Sequence, residues 1–202
     1  MLTRRSWLGL MAFGACTLAA PTAWAAQADE VVEVAAANNA VGAIVAAEGG
    51  AAVQVVVDRT LGPTQIRIAG AVVDVSGTIL LKGHFLDDPR NATKLGASIR
   101  NALVAAKPAL KATLEANHKA WTHPFARRVI TWNAQLAKSS VRGQRVTDVH
   151  GRAALLEWAG ATIDPKATSK GPAALASAPK GPAAPTLDSY TAYLEALVRA
   201  VA

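Results

Sequence analysis

Two histidines stand where side chains are free to bind something. His84 lies in the stretch Gly83–Asn91 (GHFLDDPRN), just ahead of Asp88-Pro89. Aspartate is a preferred helix N-cap and proline suits the first helical position, so a helix is expected to open there. His150 repeats the arrangement, following the β-rich run Gln144–Val149 (QRVTDV) and preceding a helical pattern over Ala153–Ala159. In open parallel sheets ligands bind at the carboxyl ends of strands. Neutral imidazole is a good ligand for zinc and related divalent ions. Convergence of His84 and His150 on one metal ion is therefore the chemistry their placement offers. Water, Asp148, Asp164 or a partner's side chain are donors that would complete four-coordination. The other two histidines, His118 and His123, lie five residues apart in a helical pattern, hence on different faces. Both are expected on a solvated helix surface. No Ser/His/Asp set, phosphate-binding Gly-rich loop or carboxylate pair is apparent, and the chain is not expected to be an enzyme.

These residues need elements to position them. Val31–Ala37 (VVEVAAA) and Ala52–Asp58 (AVQVVVD) read as strands, with an alanine-rich helix over Ala40–Glu48 between them. That order suggests a parallel βαβ unit. Gly62-Pro63 turns the chain, and Ala69–Val75 reads as a further buried strand. From Pro89 to Ser139 apolar residues recur at helical spacing, among them Leu95, Ile99, Leu103, Leu114, Trp132 and Leu136. Pro108 and Pro124 are expected to kink or divide this tract, with Lys107-Pro108 the cleaner break. Ala161–Ile163 is a short strand, and Thr186–Ala202 a closing helix with Tyr190, Leu194, Leu197 and Val201 on one face. Between them Pro165–Pro185, with KGPAA twice, is expected as a mobile loop outside the core. The fold class is α/β: two small lobes with parallel strands, residues 26–88 and 140–202, joined by a long Pro-interrupted linking helix over 89–139.

Residues 1–25 have a different character. Arg4-Arg5 precede an apolar run from Trp7 to about Ala20, closed by Ala23-Trp24-Ala25. This is the pattern of an export signal, too short and wrongly flanked to span a membrane. Arg-Arg-Ser-Trp-Leu resembles a twin-arginine signal, an ordinary secretory signal being the alternative. Cleavage after Ala25 would remove Cys16, the only cysteine, and leave neither a disulfide nor a thiolate ligand. It would also lower the net charge from +7 to +5 by removing Arg4 and Arg5. The remaining basic residues are scattered among alanines without aromatic interleaving, so no nucleic-acid partner is expected. The expected product is a periplasmic monomer with no membrane contact after signal removal.

His84-Phe85-Leu86-Asp87-Asp88-Pro89-Arg90-Asn91-Ala92 resembles the "H-x-W-L-D-P-x-N-A" signature of the zinc- and manganese-binding periplasmic proteins of ABC uptake systems. Other segments follow in the same order. Val31–Gly50 is similar to that family's first strand, turn and helix. Leu114–Asn117 resembles the "Y-x-x-N" of its long helix, Gly143–Gly160 its second ligand-bearing segment, and Ile163-Asp164-Pro165 its post-strand turn. The resemblance implies a solute-binding protein with His84 and His150 as two metal ligands. It implies zinc, with manganese as the alternative, and an ABC permease or a periplasmic acceptor protein as partner. The sequence also departs from the family. The turn Gly62-Pro63-Thr64-Gln65 lacks the histidine of a "D-P-H" turn, and the C-terminal carboxylate strand is replaced by the Pro-Ala segment. His150-Gly151-Arg152 lacks the aspartate of "H-D-x-x-x-Y". Two functions follow: a metal-binding carrier with half the usual ligand set, or a relative that has lost the metal and serves as a protein-interaction module.

Overall fold

The computed structural model describes residues 31–79 and 81–202; the expected export signal lies outside them. The first strand, β1 (Val32–Ala36), leads through Asn38 into helix α1 (Asn39–Gly49), and the chain returns as β2 (Val53–Val57). Asn38 starts the helix because its side chain accepts from the backbone N–H of Ala40 and Val41. Gly50, at φ +55°, ends it. β1 and β2 pair in parallel, Val34 opposite Val55, as the βαβ order requires.

The fold class is α/β, as expected, but the next stretch adds antiparallel strands to the parallel pair. β3 (Gln65–Ile68) pairs antiparallel with β1, and β4 (Ala71–Asp74) antiparallel with β3, giving the order β2-β1-β3-β4. The physical reason is connection length. Gly62-Pro63 and the two-residue turn Ala69-Gly70 are far too short for the crossover that a parallel neighbour needs. Ala69 and Gly70 both have positive φ, which matches the twist of a tight hairpin. The expected buried strand over Ala69–Val75 is mostly exposed, and Ile66 and Ile68 of β3 supply the burial instead.

Helix α2 (Pro89–Ala106) opens at Asp88, whose carboxylate accepts from the Arg90 N–H, with Pro89 in the first turn. Lys107-Pro108 breaks the tract as expected, through a 3-10 turn over Pro108–Leu110. Helix α3 (Lys111–Leu136) then runs through Pro124 without ending. The carbonyl that Pro124 deprives of a donor belongs to Ala120, which is exposed and open to water. Trp121, Phe125 and Trp132 on the opposite face are buried and pack edge to face in sequence. Two short parallel strands, β5 (Arg145–Val146) and β6 (Thr162–Ile163), are joined by helix α4 (Ala153–Trp158). Helix α5 (Leu187–Val201) closes the chain with Tyr190, Leu194, Leu197 and Val201 buried.

Val31–Ala202 forms one compact unit, and the divisions expected at residues 88 and 139 fall inside it. The helical tract does more than link. α2 packs on α1 and α3, and α3 also packs on α1 and α5, so their apolar stripes join one hydrophobic core. The Pro-Ala segment 165–185 is likewise docked rather than projecting, against expectation. Leu175 is 3% exposed, and Asn39 Nδ2 donates to the carbonyls of Pro182 and Ala183 at 2.9 and 3.1 Å. A segment poor in donors is held here through its carbonyls, by donors the core supplies.

Candidate functional site

A cleft of about 620 Å³ opens where β1 and β2 end. Asn38 and Asn39 reach it from β1, and Val57 and Arg59 from β2. The opposite side comes from Gly83–Asp87, Lys180–Pro182 and Tyr193 of α5. This is the carboxyl end of the parallel pair, where α/β sheets characteristically bind ligands.

His84 lines this cleft with an exposed side chain. Its backbone N–H donates to the carbonyl of Gly151 at 3.4 Å, so the segments carrying His84 and His150 are in contact. Gly83 makes that approach possible. It has φ +48°, and a Cβ there would lie 2.7 Å from Gly151 O. His150 is half-buried and is not among the residues lining the cleft. Among the described residues neither imidazole ring makes a hydrogen bond or ion pair, leaving the ring nitrogens available. Among the described residues no group of three or more His, Cys, Asp or Glu side chains is placed to hold a metal.

The carboxylates offered by the sequence as further ligands have local work. Asp148 Oδ1 accepts from the backbone N–H of His150 at 3.1 Å and of Arg152 at 2.9 Å, which shapes the loop. Asp164 pairs with Arg145 at 2.5 Å and accepts from Lys166 N. Thr64 is 3% exposed and donates to Asp74 Oδ1 at 2.9 Å, bracing the β3–β4 hairpin.

The dominant polar feature of the site was not singled out from sequence. Asp87, Arg152 and Tyr193 form a buried network in the cleft wall. Arg152 Nη1 donates to Asp87 Oδ2 at 2.8 Å and to Tyr193 OH at 2.6 Å, and Tyr193 OH donates to Asp87 Oδ1. Arg152 Nη2 donates to Pro179 O at 2.5 Å, which ties the Pro-Ala segment to the same point. The side chains of Arg152 and Asp87 are 3% and 2% exposed. Burial pushes the Asp87 carboxyl above its ordinary range, although hydrogen bonds from Tyr193 and Arg152 oppose this. Burial and the adjacent Asp87 carboxylate also push the Tyr193 hydroxyl up, keeping it a proton donor to Asp87. Tyr190, fully buried beside it, donates to Leu86 O at 2.7 Å and fixes the 3-10 turn Phe85–Asp87 that follows His84.

The charge balance of the cleft follows. Asp87 is its one acidic lining residue, and Arg152 compensates it from behind. Arg59 and Lys180 are exposed at the cleft and, among the described residues, pair with nothing.

A second buried polar group corrects the expectation for His118. Its Nδ1 lies 2.7 Å from Oε1 of Glu48, a residue of α1 that is fully buried, and Trp121 Nε1 donates to the same oxygen at 2.9 Å. Burial raises the Glu48 carboxyl despite His118, Trp121 and Arg100, and Oε2 has no hydrogen-bond partner. A signal for this was present: Leu114, His118, Trp121 and Phe125 follow heptad-like spacing on one face of α3. His123 is exposed, as expected.

Compared with known proteins, the chain matches no family model, no curated protein and no solved structure.

Proposed function

We propose that this chain is a periplasmic solute-binding protein that handles a divalent metal ion, zinc in the first instance and manganese as the alternative, through His84 and His150. The observation that carries this reading is the contact between the two histidine-bearing segments, His84 N–H to Gly151 O, at the edge of a cleft formed by strand ends. Imidazole rings that make no hydrogen bond among the described residues, and the ordered resemblance to metal-binding periplasmic proteins, support it. Two imidazoles leave coordination positions for water or for a donor from an acceptor protein or ABC permease. Such an open site suits a carrier that gives its ion up. The export-type N-terminus supports the periplasmic assignment, and no helix among the described residues is long and apolar enough to cross a membrane.

Calorimetric titration with zinc tests this. The parent should bind, His84→Ala and His150→Ala should each lose most of the affinity, and His123→Ala should retain it.

One observation favours a second reading, a protein-interaction module without a metal. The acidic group nearest His84, Asp87, is sealed by Arg152 and Tyr193, and a buried guanidinium disfavours a nearby cation. A parent protein that does not bind zinc would establish that reading.

A further inference from the structure

We infer that the cleft beside His84 is a site for a small organic anion carrying at least two acid groups. The inference rests on the cleft being the solute site, and it stands apart from whether His84 and His150 hold a metal.

Size is the first argument. The cleft holds about 620 Å³. Pockets for small organic molecules span roughly 300–1,000 Å³, and a bare or hydrated ion fills only a small part of such a space.

Charge is the second. Arg59 follows β2 and Lys180 lies in the Pro-Ala segment, so two distant parts of the chain each bring a cation to one cavity. Neither pairs with an acidic residue among the described residues. What sets them apart from other exposed cations of the chain is their place, since both line one concave surface. The single acidic lining residue, Asp87, is satisfied by Arg152 and Tyr193 and offers no competing counter-ion. A concave surface with one uncompensated sign of charge concentrates ligands of the opposite sign.

The remaining lining decides between an inorganic and an organic anion. Val57, Phe85 and Leu86 give the cleft apolar wall, which accommodates a carbon skeleton and gains nothing from phosphate alone. The amino end of α1 also faces the cleft but contributes little. The Asn38 side chain already caps Ala40 N–H and Val41 N–H, and Asn39 Nδ2 is engaged with Pro182 and Ala183. Two cations from separate segments fit two acid groups on one skeleton better than one.

The test is calorimetric titration of the purified protein, freed of metal on a chelating resin, against succinate, citrate, 3-phosphoglycerate, inorganic phosphate and glucose. At least one organic di- or tri-acid should bind in the millimolar range or tighter, more weakly as salt is added. Arg59→Gln and Lys180→Gln should each weaken it, and the double variant by roughly tenfold or more. Lys138→Gln, an exposed lysine outside the cleft, should change nothing. Citrate against 3-phosphoglycerate shows whether carboxylates or a phosphate ester are preferred, and either supports the inference. Absence of binding at about 10 mM overturns it. So does binding unaffected in the double variant, or inorganic phosphate binding as tightly as every organic acid. Zinc titrations of the parent and of His150→Ala, whose side chain does not line the cleft, separate the two readings. Anion binding without zinc binding removes the metal reading and leaves this one. Zinc binding without anion binding does the reverse.

Discussion

The backbone N–H of His84 donates to the carbonyl of Gly151, so two segments far apart in the chain meet at His84 and at the residue that follows His150. The contact depends on the absence of a side chain at Gly83. An alanine Cβ there would sit 2.7 Å from Gly151 O, at a φ of +48° that L-residues adopt at a cost.

Gly83→Ala should therefore destabilise the protein by about 1–3 kcal/mol and push the two histidines apart. Urea unfolding should show the first effect, and zinc titration of the folded variant at least a fivefold loss of affinity. Gly151→Ala is the comparison. Its φ is also positive, at +69°, but a Cβ there meets only the His84 ring carbon at 3.9 Å, so only the backbone cost of roughly 1–2 kcal/mol is expected. Full zinc affinity in a folded Gly83→Ala protein would show that the contact does not position the site.

The buried pair in the cleft wall makes a separate prediction. Arg152→Met leaves Asp87 with Tyr193 as its only strong donor and should cost about 3–5 kcal/mol, because a buried carboxylate loses its counter-charge. Asp87→Asn/Arg152→Met should be markedly less destabilised than the sum of its single variants, the sign of direct coupling. Additive losses in chemical denaturation would mean that the pair does not act as a unit. The Pro-Ala segment should also become easier to cleave in Arg152→Met, since Pro179 O loses its donor.

Glu48 supplies the pH prediction. Burial raises its folded-state pKa above 4.5, with the His118 and Trp121 hydrogen bonds opposing. A raised carboxyl pKa contributes stability that is complete below the unfolded value and is lost as pH rises through the folded value. Glu48→Gln removes that loss. Relative to the parent, the variant should fare worst below pH 4.5 and improve steadily above it. Urea midpoints of both proteins measured from acid to neutral pH check this. A difference that stays constant across the range would rule out Glu48 as the titrating group.

Several elements were legible because their determinants are local. Asp88-Pro89 opens α2 through a cap made within two residues, and Lys107-Pro108 breaks the tract because proline removes a donor where it stands. The spacing of Tyr190, Leu194, Leu197 and Val201 marked the buried face of α5, since any helix of that sequence places them together. The β1–α1–β2 unit was readable for the same reason, with Asn38-Asn39 at one end of its helix and Gly49-Gly50 at the other. β3 was missed because Gln65-Ile66-Arg67-Ile68 is short and half polar. Its burial comes from neighbours on both sides, β1 and β4, and not from its own composition.

The parallel βαβ order and the openings of α2 and α5 were thus determined by the sequence itself, through capping, chain breaking and periodicity that act over a few residues. Which polar groups would be buried together was decided only by the tertiary structure. Glu48 and His118 lie 70 residues apart, Asp87 and Arg152 65, and Asp87 and Tyr193 106. No local pattern links such pairs. A buried charge is tolerable only where packing brings it a partner, and that condition is met by the whole fold at once.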